Sequence, residues 1–270
     1  LKKHLNNYYI IIKIESWKGF RNCYIMKVDK RAEIIKKWID DYCKNTSFLP
    51  KSLVVGISGG IDSSVVSTLC ALTGRKTIVL SMPINQIKKQ HDLSIKHGEW
   101  LKSKFKNIEF KLINIDKIFN SFKESLINYD NEHGLANSRA RLRMATLYQV
   151  AASNSGIVVG TGNKVEDFGV GFYTKYGDGG VDISPIADCT KSQVWELGKH
   201  LGILTEIIKA EPTDGLWSDG RNDTDQLGMT YDELEKAMIN KSDKNHNRYL
   251  EIRKKNLHKM NPIPVCKFDE

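Results

Sequence analysis

The chain has 270 residues, of which 40% are hydrophobic and 27% are charged, as is usual for a globular protein with a buried core. Its formal net charge is +9, but the basic residues are spread along predicted helices and form no basic block. No apolar run approaches the roughly 20 residues that a membrane span requires. We therefore expect neither a nucleic acid nor a membrane as a partner.

The five cysteines are scattered along the chain, with no C-x-x-C motif and no Cys/His cluster. This pattern argues against a zinc site, an iron–sulfur cluster and a disulfide framework. It favours a reducing compartment, so we predict a cytoplasmic protein.

The first 25 residues lack a clean hydrophobic period, helix caps and an initiator methionine. Glu15 and several aromatic residues interrupt the segment, and no small-residue cleavage site follows, so it does not resemble a targeting signal. We predict that Met26 is the true start, that residues 1–25 are a non-native or disordered extension, and that residues 26–270 form a single domain.

From Val28 onward, apolar residues recur with a helical period, and four apolar segments read as strands. A first helix places Ile34, Ile35, Trp38, Ile39 and Tyr42 on one face, with Asp29 as a possible cap. Strands are predicted at 52–57, 76–81, 109–115 and 156–160, and helices at 62–73, 88–104, 116–129 and 135–154. This alternation predicts an α/β fold with a doubly wound parallel sheet.

Two long polar segments interrupt the second half of the chain. Residues 161–189 are rich in glycine with little periodicity, and residues 210–229 form another polar loop. Long loops of this kind in a compact domain are usually functional or disordered. Between and after them we predict helices at 190–202, 230–240 and 245–257, the first with a capping box made by Thr190 and Gln193.

The most informative stretch is Val54–Ser64, which reads VVGISGGIDSS. A buried strand meets a turn of Ser58, Gly59 and Gly60, and a helix follows directly, which is the arrangement that binds phosphate at a helix N-terminus. No Gly-Lys-Ser/Thr follows, so this is not a Walker loop. Asp62 beside bound phosphates indicates a bridging metal ion. The plainer alternative is a Gly-Gly turn whose helix is capped by Asp62 and Ser63.

The word S-G-G-x-D-S resembles the PP-loop of the ATP pyrophosphatases, which adenylate a carbonyl or carboxyl oxygen and release pyrophosphate. Further blocks narrow the resemblance to the ammonia-dependent NAD⁺ synthetases, over nearly all of residues 27–262. These blocks are Asn137–Met144, Gly160–Glu166, Phe172–Gly180, Glu211–Thr213 and the pair His258-Lys259. The resemblance implies a PP-loop, Rossmann-like sheet flanked by helices, and a homodimer. It implies that deamido-NAD⁺, ATP and ammonia react to give NAD⁺, AMP and pyrophosphate.

The resemblance also implies the residues that bind ATP and its metal. Asp62 and Glu166 would hold Mg²⁺, while Asp62 and Lys191 would act in catalysis. A carboxylate such as Asp178 would position ammonia or accept its proton. The implied ATP-binding residues are Gly56, Ile57, Ser58, Gly59, Gly60, Ile61, Asp62, Ser63, Thr161, Lys191 and Thr213.

The residues implied for deamido-NAD⁺ are Arg141, Lys175, Asp182, His258 and Lys259. Cations suit its phosphates, and a carboxylate suits ribose hydroxyls or the adenine amine. Arg139, Arg141 and Arg143 share a helix whose solvated face would explain two of the three. His258-Lys259 is also an ordinary ending for a helix, where cations are favoured.

The nitrogen donor and the class of enzyme each have an alternative. Larger relatives fuse a glutamine-hydrolysing domain, for which this chain has no room, so free ammonia is expected, although a separate glutaminase subunit stays open. The pair Asn163-Lys164 resembles the sequence of the glutamine-dependent branch of the family at this point.

The main rival is another PP-loop enzyme such as a tRNA-modifying sulfurtransferase, which would need a catalytic cysteine pair or an RNA-binding domain. A nucleotide-binding regulatory module is the second rival, against which Asp62, Glu166 and Lys191 argue.

Overall fold

The computed structural model describes residues 26–86, 88–213, 215–217 and 222–268. Four strands alternate with helices in the first part of the chain: β1 (Ser52–Gly56), β2 (Thr77–Ser81), β3 (Ile108–Leu112) and β4 (Gly156–Val158). They form one parallel sheet in the order β3-β2-β1-β4. The prediction for residues 1–25 lies outside the described residues, and a single domain over 26–270 stays a prediction.

Helices cover both faces of this sheet. One face carries α1 (Val28–Asn45), α2 (Ile61–Leu72), α3 (Lys88–Lys104) and α6 (Lys191–His200). The other carries α4 (Asp116–Glu124) and α5 (Glu132–Ser153). Leu53 and Val55 of β1 point into the first layer and Val54 into the second, because successive strand residues face opposite sides. The predicted doubly wound α/β sheet is confirmed.

The rest of the chain builds a third core beside the sheet. A π-helix (Lys164–Val170) is followed, after α6, by α7 (Thr205–Ile208), α8 (Asp223–Leu227), α9 (Tyr231–Ile239) and α10 (His246–Met260). Val165 and Val170 pack there with Leu227, Leu234 and Tyr249. None of the described helices has the length and apolar character needed to cross a membrane.

Some predicted boundaries are wrong. The predicted polar loops contain the π-helix and α8, α4 ends at Glu124, and α5 already begins at Glu132, with Asn131 as its cap. Strand β3 is shorter than predicted and only partly buried, because it lies at an edge of the sheet. The capping box of Thr190 and Gln193 is confirmed at the start of α6.

The predicted apolar face of α1 is only partly correct. Ile35 and Ile39 are buried, whereas Ile34 and Trp38 are 46% and 44% exposed. The helix packs against α2 and α6 along a stripe that is narrower than the apolar pattern suggests. Asp29 lies in the first turn and makes no capping hydrogen bond, and Lys27 stands at the cap position.

The buried side chain of His97 predicts that the fold loses stability in acid. His97 of α3 is fully buried, with Nε2 2.9 Å from Ser67 Oγ of α2, and burial lowers its pKa from 6.5 to about 4. Between pH 6.5 and about pH 4, His97 binds a proton in the unfolded chain but stays neutral in the folded protein. The free energy of unfolding therefore falls as the pH is lowered through this range. From roughly 1.4 kcal/mol per pKa unit, His97 alone should remove up to about 3 kcal/mol of unfolding free energy.

Urea unfolding of the wild type and of His97→Gln between pH 7 and pH 4 measures this loss. Glutamine can still bond to Ser67 but does not titrate, so the acid-induced loss should be smaller in the variant. An equal loss in both proteins would contradict the prediction.

Candidate active site

The SGGIDS loop joins the end of β1 to the start of α2 and is braced by its own serines. Ser58 N donates to Ser63 Oγ at 3.2 Å, and Gly60 N donates to Ser58 Oγ at the same distance. Ser63 Oγ in turn donates to Gly60 O. The loop and the first turn of α2 face a cavity, so helix N–H groups point toward any anion bound there. The helix cap is Gly60, with no capping bond from Asp62.

Glycine is required at position 59 for two reasons. Its φ of +87° is a conformation that side-chain-bearing residues rarely adopt. A Cβ atom would also stand 2.6 Å from the carbonyl oxygen of Gln90 and 2.9 Å from the backbone nitrogen of Ser94. Because α3 packs directly on the loop, the loop cannot move aside.

Asp62, Glu166 and Lys191 come together although they lie far apart in the sequence. Lys191 Nζ is 2.6 Å from Asp62 Oδ2 and 2.9 Å from Glu166 Oε1, and the lysine is 3% exposed. Burial acts to lower the pKa of Lys191, but the charges of Asp62 and then Glu166 raise it overall. The lysine is therefore a fixed cation.

Asn163 holds the two carboxylates in place. Its side chain is fully buried, and Nδ2 donates to Asp62 Oδ1 at 3.0 Å. Its Oδ1 accepts from the backbone N–H groups of Val165 and Glu166, which caps the π-helix that carries Glu166. One amide thus ties the end of the PP-loop to the second carboxylate.

The two carboxylates fit a divalent metal. Both reach the same ammonium group, so their oxygens are close enough to bind one cation once the lysine shifts. Within the described ranges, no group of three or more His, Cys, Asp or Glu residues could hold a metal ion. A cation at Asp62 and Glu166 would take further ligands from phosphate oxygens and water, as Mg²⁺ commonly does.

A cavity of about 260 Å³ collects the residues predicted for ATP. The glycine loop, the first turn of α2 and Lys191 all line it. All the predicted ATP and metal positions line it: Gly56, Ile57, Ser58, Gly59, Gly60, Ile61, Asp62, Ser63, Thr161, Glu166, Lys191 and Thr213.

A second cavity of about 330 Å³ lies beside the first and is lined by the basic side chains predicted for deamido-NAD⁺. Arg141, Lys175, His258 and Lys259 all line it. Lys175 Nζ donates to His258 O at 3.2 Å, and Lys259 Nζ donates to Tyr173 O at 2.8 Å. The two cavities share Phe172, Asp178 and Leu216, so a ligand in one lies next to the other.

Asp182 is the predicted site residue that lines neither cavity. Its Oδ2 accepts from Val158 N at 2.7 Å, and its Oδ1 accepts from Tyr148 Oη at 3.0 Å. These bonds fasten the segment after residue 180 to the edge strand β4 and to α5. The structure therefore does not bring Asp182 together with the other predicted residues of this chain.

The arginines of α5 are less solvated than expected. Arg139 donates to Leu216 O at 2.8 Å and lies over the Phe119 ring, and Arg143 donates to Met82 O at 3.0 Å and lines the first cavity. Arg141 alone of the three is exposed. The expectation of two solvated arginines is therefore wrong, because α5 supports the loops on either side of the cavity.

Several residues of the site carried no signal of their own in the sequence. Asp167 lines the first cavity, and burial followed by the charges of Glu166 and Asp178 raises the pKa of its carboxyl well above the usual range. Asn163 belongs to the Gly160–Glu166 block, but the sequence assigns it no role in the site. Tyr231, which contacts Glu166 from 65 residues away, lay in a helix predicted on its apolar pattern alone.

A parallel sheet, a glycine loop after its first strand and a lysine–carboxylate cluster together define an α/β nucleotide-binding protein of the PP-loop type. The NAD synthase family model matches residues 31–267. The chain belongs to this family.

Individual relatives agree with the family. The chain is 37% identical to the NH(3)-dependent NAD(+) synthetase of Methanococcoides burtonii over 79% of this chain and 80% of that protein. Its fold matches an NMN synthetase from Francisella tularensis with a TM-score of 0.83 at 32% identity, covering 90% of this chain and 100% of the other. An NH3-dependent NAD synthetase from Campylobacter jejuni, solved with a nitrate ion, matches with a TM-score of 0.71 at 27% identity, with the same coverage.

Proposed function

We propose that this chain is an AMP-forming carbon–nitrogen ligase that converts deamido-NAD⁺, ATP and ammonia into NAD⁺, AMP and pyrophosphate. The observation that carries the proposal is the Lys191 ammonium held between Asp62 and Glu166 at the end of the PP-loop. A fixed cation and a metal-binding pair beside a phosphate cradle suit the expulsion of pyrophosphate from ATP. Relatives named NH(3)-dependent NAD(+) synthetase favour this function over a sulfurtransferase.

The first step activates the nicotinate carboxylate. One of its oxygens attacks the α-phosphorus of ATP, the bond to the β-phosphate breaks, and pyrophosphate leaves. The loop Gly56–Ser63 would hold the phosphates with its N–H groups, and Thr161 and Thr213, which line the same cavity, would contact the nucleotide. Lys191 would stabilise the negative charge that gathers on the phosphoryl oxygens.

Magnesium would be held by Asp62 and Glu166. When bound, it neutralises charge on the phosphate oxygens and makes pyrophosphate a better leaving group. Lys191 would then give up at least one of its two carboxylate contacts and turn toward the phosphates. Asn163 would keep the two carboxylates in position during this change, because it bonds to Asp62 and to the backbone of Glu166.

In the second step ammonia attacks the activated carbonyl carbon, the bond to AMP breaks, and a proton leaves the nitrogen. Asp178 would position the ammonia or accept that proton, because it lines both cavities at their junction. Its Oδ1 accepts from Thr174 N at 2.9 Å, which fixes the side chain. Asp167 also lines the first cavity, where burial, the charge of Glu166 and then that of the nearby Asp178 raise the pKa of its own carboxyl.

The second cavity would bind the nucleotide phosphates of the acceptor through Arg141, Lys175, His258 and Lys259. Arginine and lysine are the residues that proteins commonly use for phosphate. Trp217 also lines this cavity, with its ring 6.4 Å from that of His133, and offers an aromatic surface to a base. Asp182 would contact deamido-NAD⁺ only where a second subunit completes the site.

We also propose a homodimer in the cytoplasm. Exposed apolar side chains on α4 and in the turn that follows support an interface there: Ile118, Phe122, Ile127 and Tyr129 are between 37% and 75% exposed. The free cysteines of the described residues, three of them buried, suit a reducing compartment.

An end-point assay tests the reaction. The protein is incubated with ATP, Mg²⁺, deamido-NAD⁺ and either ammonium or glutamine, and the nucleotides are separated by chromatography. NAD⁺ and AMP in equal amounts, with ammonium alone as donor, are expected. Formation of ADP, or no NAD⁺, would contradict the proposal.

One observation favours a different carboxylate substrate for the same reaction. The likeness to an NMN synthetase suggests nicotinate mononucleotide as an alternative substrate with the same reacting carboxylate. A parallel reaction with this mononucleotide gives the ratio of kcat/KM values. A ratio that favours the mononucleotide would change the acceptor but not the adenylation chemistry.

A further inference from the structure

A buried tyrosine joins the proposed metal site to the C-terminal helices. Tyr231 is the first residue of α9 and is 6% exposed. Its Oη lies 2.5 Å from Glu166 Oε1 and 2.7 Å from Asp223 Oδ2, and its ring faces Lys191 Nζ at 4.7 Å. The residue thus contacts both Glu166 and its lysine partner.

The other end of this link reaches the nucleotide-binding segment. Asp223 is the first residue of α8 and is 4% exposed. Its backbone N–H donates to the carbonyl of Pro212 at 3.0 Å, next to Thr213, which lines the first cavity. A continuous path of close polar contacts therefore runs from Pro212 through Asp223 and Tyr231 to Glu166.

We propose that Tyr231 and Asp223 are positioning residues that orient Glu166 for the metal and couple metal affinity to nucleotide binding at Thr213. This inference rests on the proposed function, because it assumes that Glu166 holds Mg²⁺. Without the tyrosine hydroxyl, the Glu166 carboxylate loses the contact on its α9 side and can turn toward Lys191, to which it is already bonded. Without Asp223, the hydroxyl loses the contact that joins it to the Pro212–Thr213 segment.

The test measures metal binding and does not need turnover. Mg²⁺ affinity of the full chain is determined by calorimetry with and without α,β-methylene-ATP, for the wild type and Tyr231→Phe. Loss of a residue that orients a metal ligand typically costs about tenfold to a hundredfold in metal affinity. We expect a loss of at least about tenfold with the analogue present, and a smaller gain in Mg²⁺ affinity on adding the analogue than in the wild type.

Tyr249→Phe is the matched control. Tyr249 is 8% exposed in the same third core, and its ring contacts His246, but it touches neither the metal carboxylates nor Lys191. It should bind Mg²⁺ as the wild type does. Asp223→Asn provides a second route if Tyr231→Phe folds poorly, and the two substitutions together should weaken Mg²⁺ binding by less than the product of their separate effects.

The outcomes separate the two proposals. Wild-type affinity and wild-type coupling in Tyr231→Phe would overturn the positioning role. A wild-type protein that binds no Mg²⁺ with the ATP analogue but makes NAD⁺ would overturn the positioning role and leave the reaction standing. Weakened metal binding in the variant, with no NAD⁺ made by the wild type, would leave the positioning role intact and refute the reaction alone.

Discussion

Replacing Lys191 with methionine should lower AMP formation by about 10²- to 10³-fold, because the site loses its fixed cation. Methionine has a similar length and fills the buried space, so the change removes charge more than volume. Lys191 Nζ is the group that contacts both Asp62 and Glu166. Measuring kcat under saturating ATP and acceptor isolates the chemical contribution from any loss of binding.

The same substitution should change how stability depends on metal. Two largely but not fully buried carboxylates, 17% and 16% exposed, left without their cation cost at most about 3–5 kcal/mol of unfolding free energy. Mg²⁺ could then bind between them without nucleotide, so the Tm of Lys191→Met should rise with added Mg²⁺ more than that of the wild type. Thermal unfolding with and without Mg²⁺ measures this difference.

Lys164→Met is the control for this experiment. Lys164 makes a comparable 2.8 Å ion pair with Asp188, but its side chain is 44% exposed and that of Asp188 is 96% exposed. An exposed pair of this kind contributes at most about 1 kcal/mol. If Lys191→Met behaved like Lys164→Met, Lys191 would be no more than a structural ion-pair partner.

The parts of the site that the sequence predicts are those whose chemistry is local. A phosphate loop needs a strand end, glycines and a helix start within a few residues, so Gly56–Ser63 can be read directly. The carboxyl ends of parallel strands meet at one edge of the sheet, which also places Thr161 near that loop. The role of Lys191 is predicted from the family resemblance alone, because nothing in the sequence around it indicates a partner 129 residues away.

The parts that were missed depend on long-range packing. Tyr231 reaches Glu166 only because α9 packs on the π-helix, and a π-helix has no periodic sequence signature that distinguishes it from a loop. Arg143 and Met82 are joined across 61 residues by a bond to a backbone carbonyl, which any residue type could supply. The apolar pattern of α1 likewise could not reveal that its partners bury Ile35 and Ile39 but leave Ile34 and Trp38 exposed.

Replacing Asp62 with asparagine should abolish pyrophosphate release, with a loss of about 10³-fold or more, because one of the two proposed metal ligands loses its charge. The fold should persist. Asparagine can still accept the 3.0 Å hydrogen bond from Asn163, and Lys191 keeps its 2.9 Å contact with Glu166. The lost charged contact to Lys191 should lower the unfolding free energy by about 1.5–3 kcal/mol.

Two measurements separate a metal defect from general damage. Binding of ATP without Mg²⁺ should stay within a few fold of the wild type, whereas the Mg²⁺ concentration needed for half-maximal turnover should rise steeply or become unmeasurable. Asp188→Asn makes the same chemical change at a 96% exposed side chain and should leave both quantities unaltered. Near-normal turnover in Asp62→Asn would mean that Asp62 only favours the start of α2, where a negative charge stabilises the helix dipole.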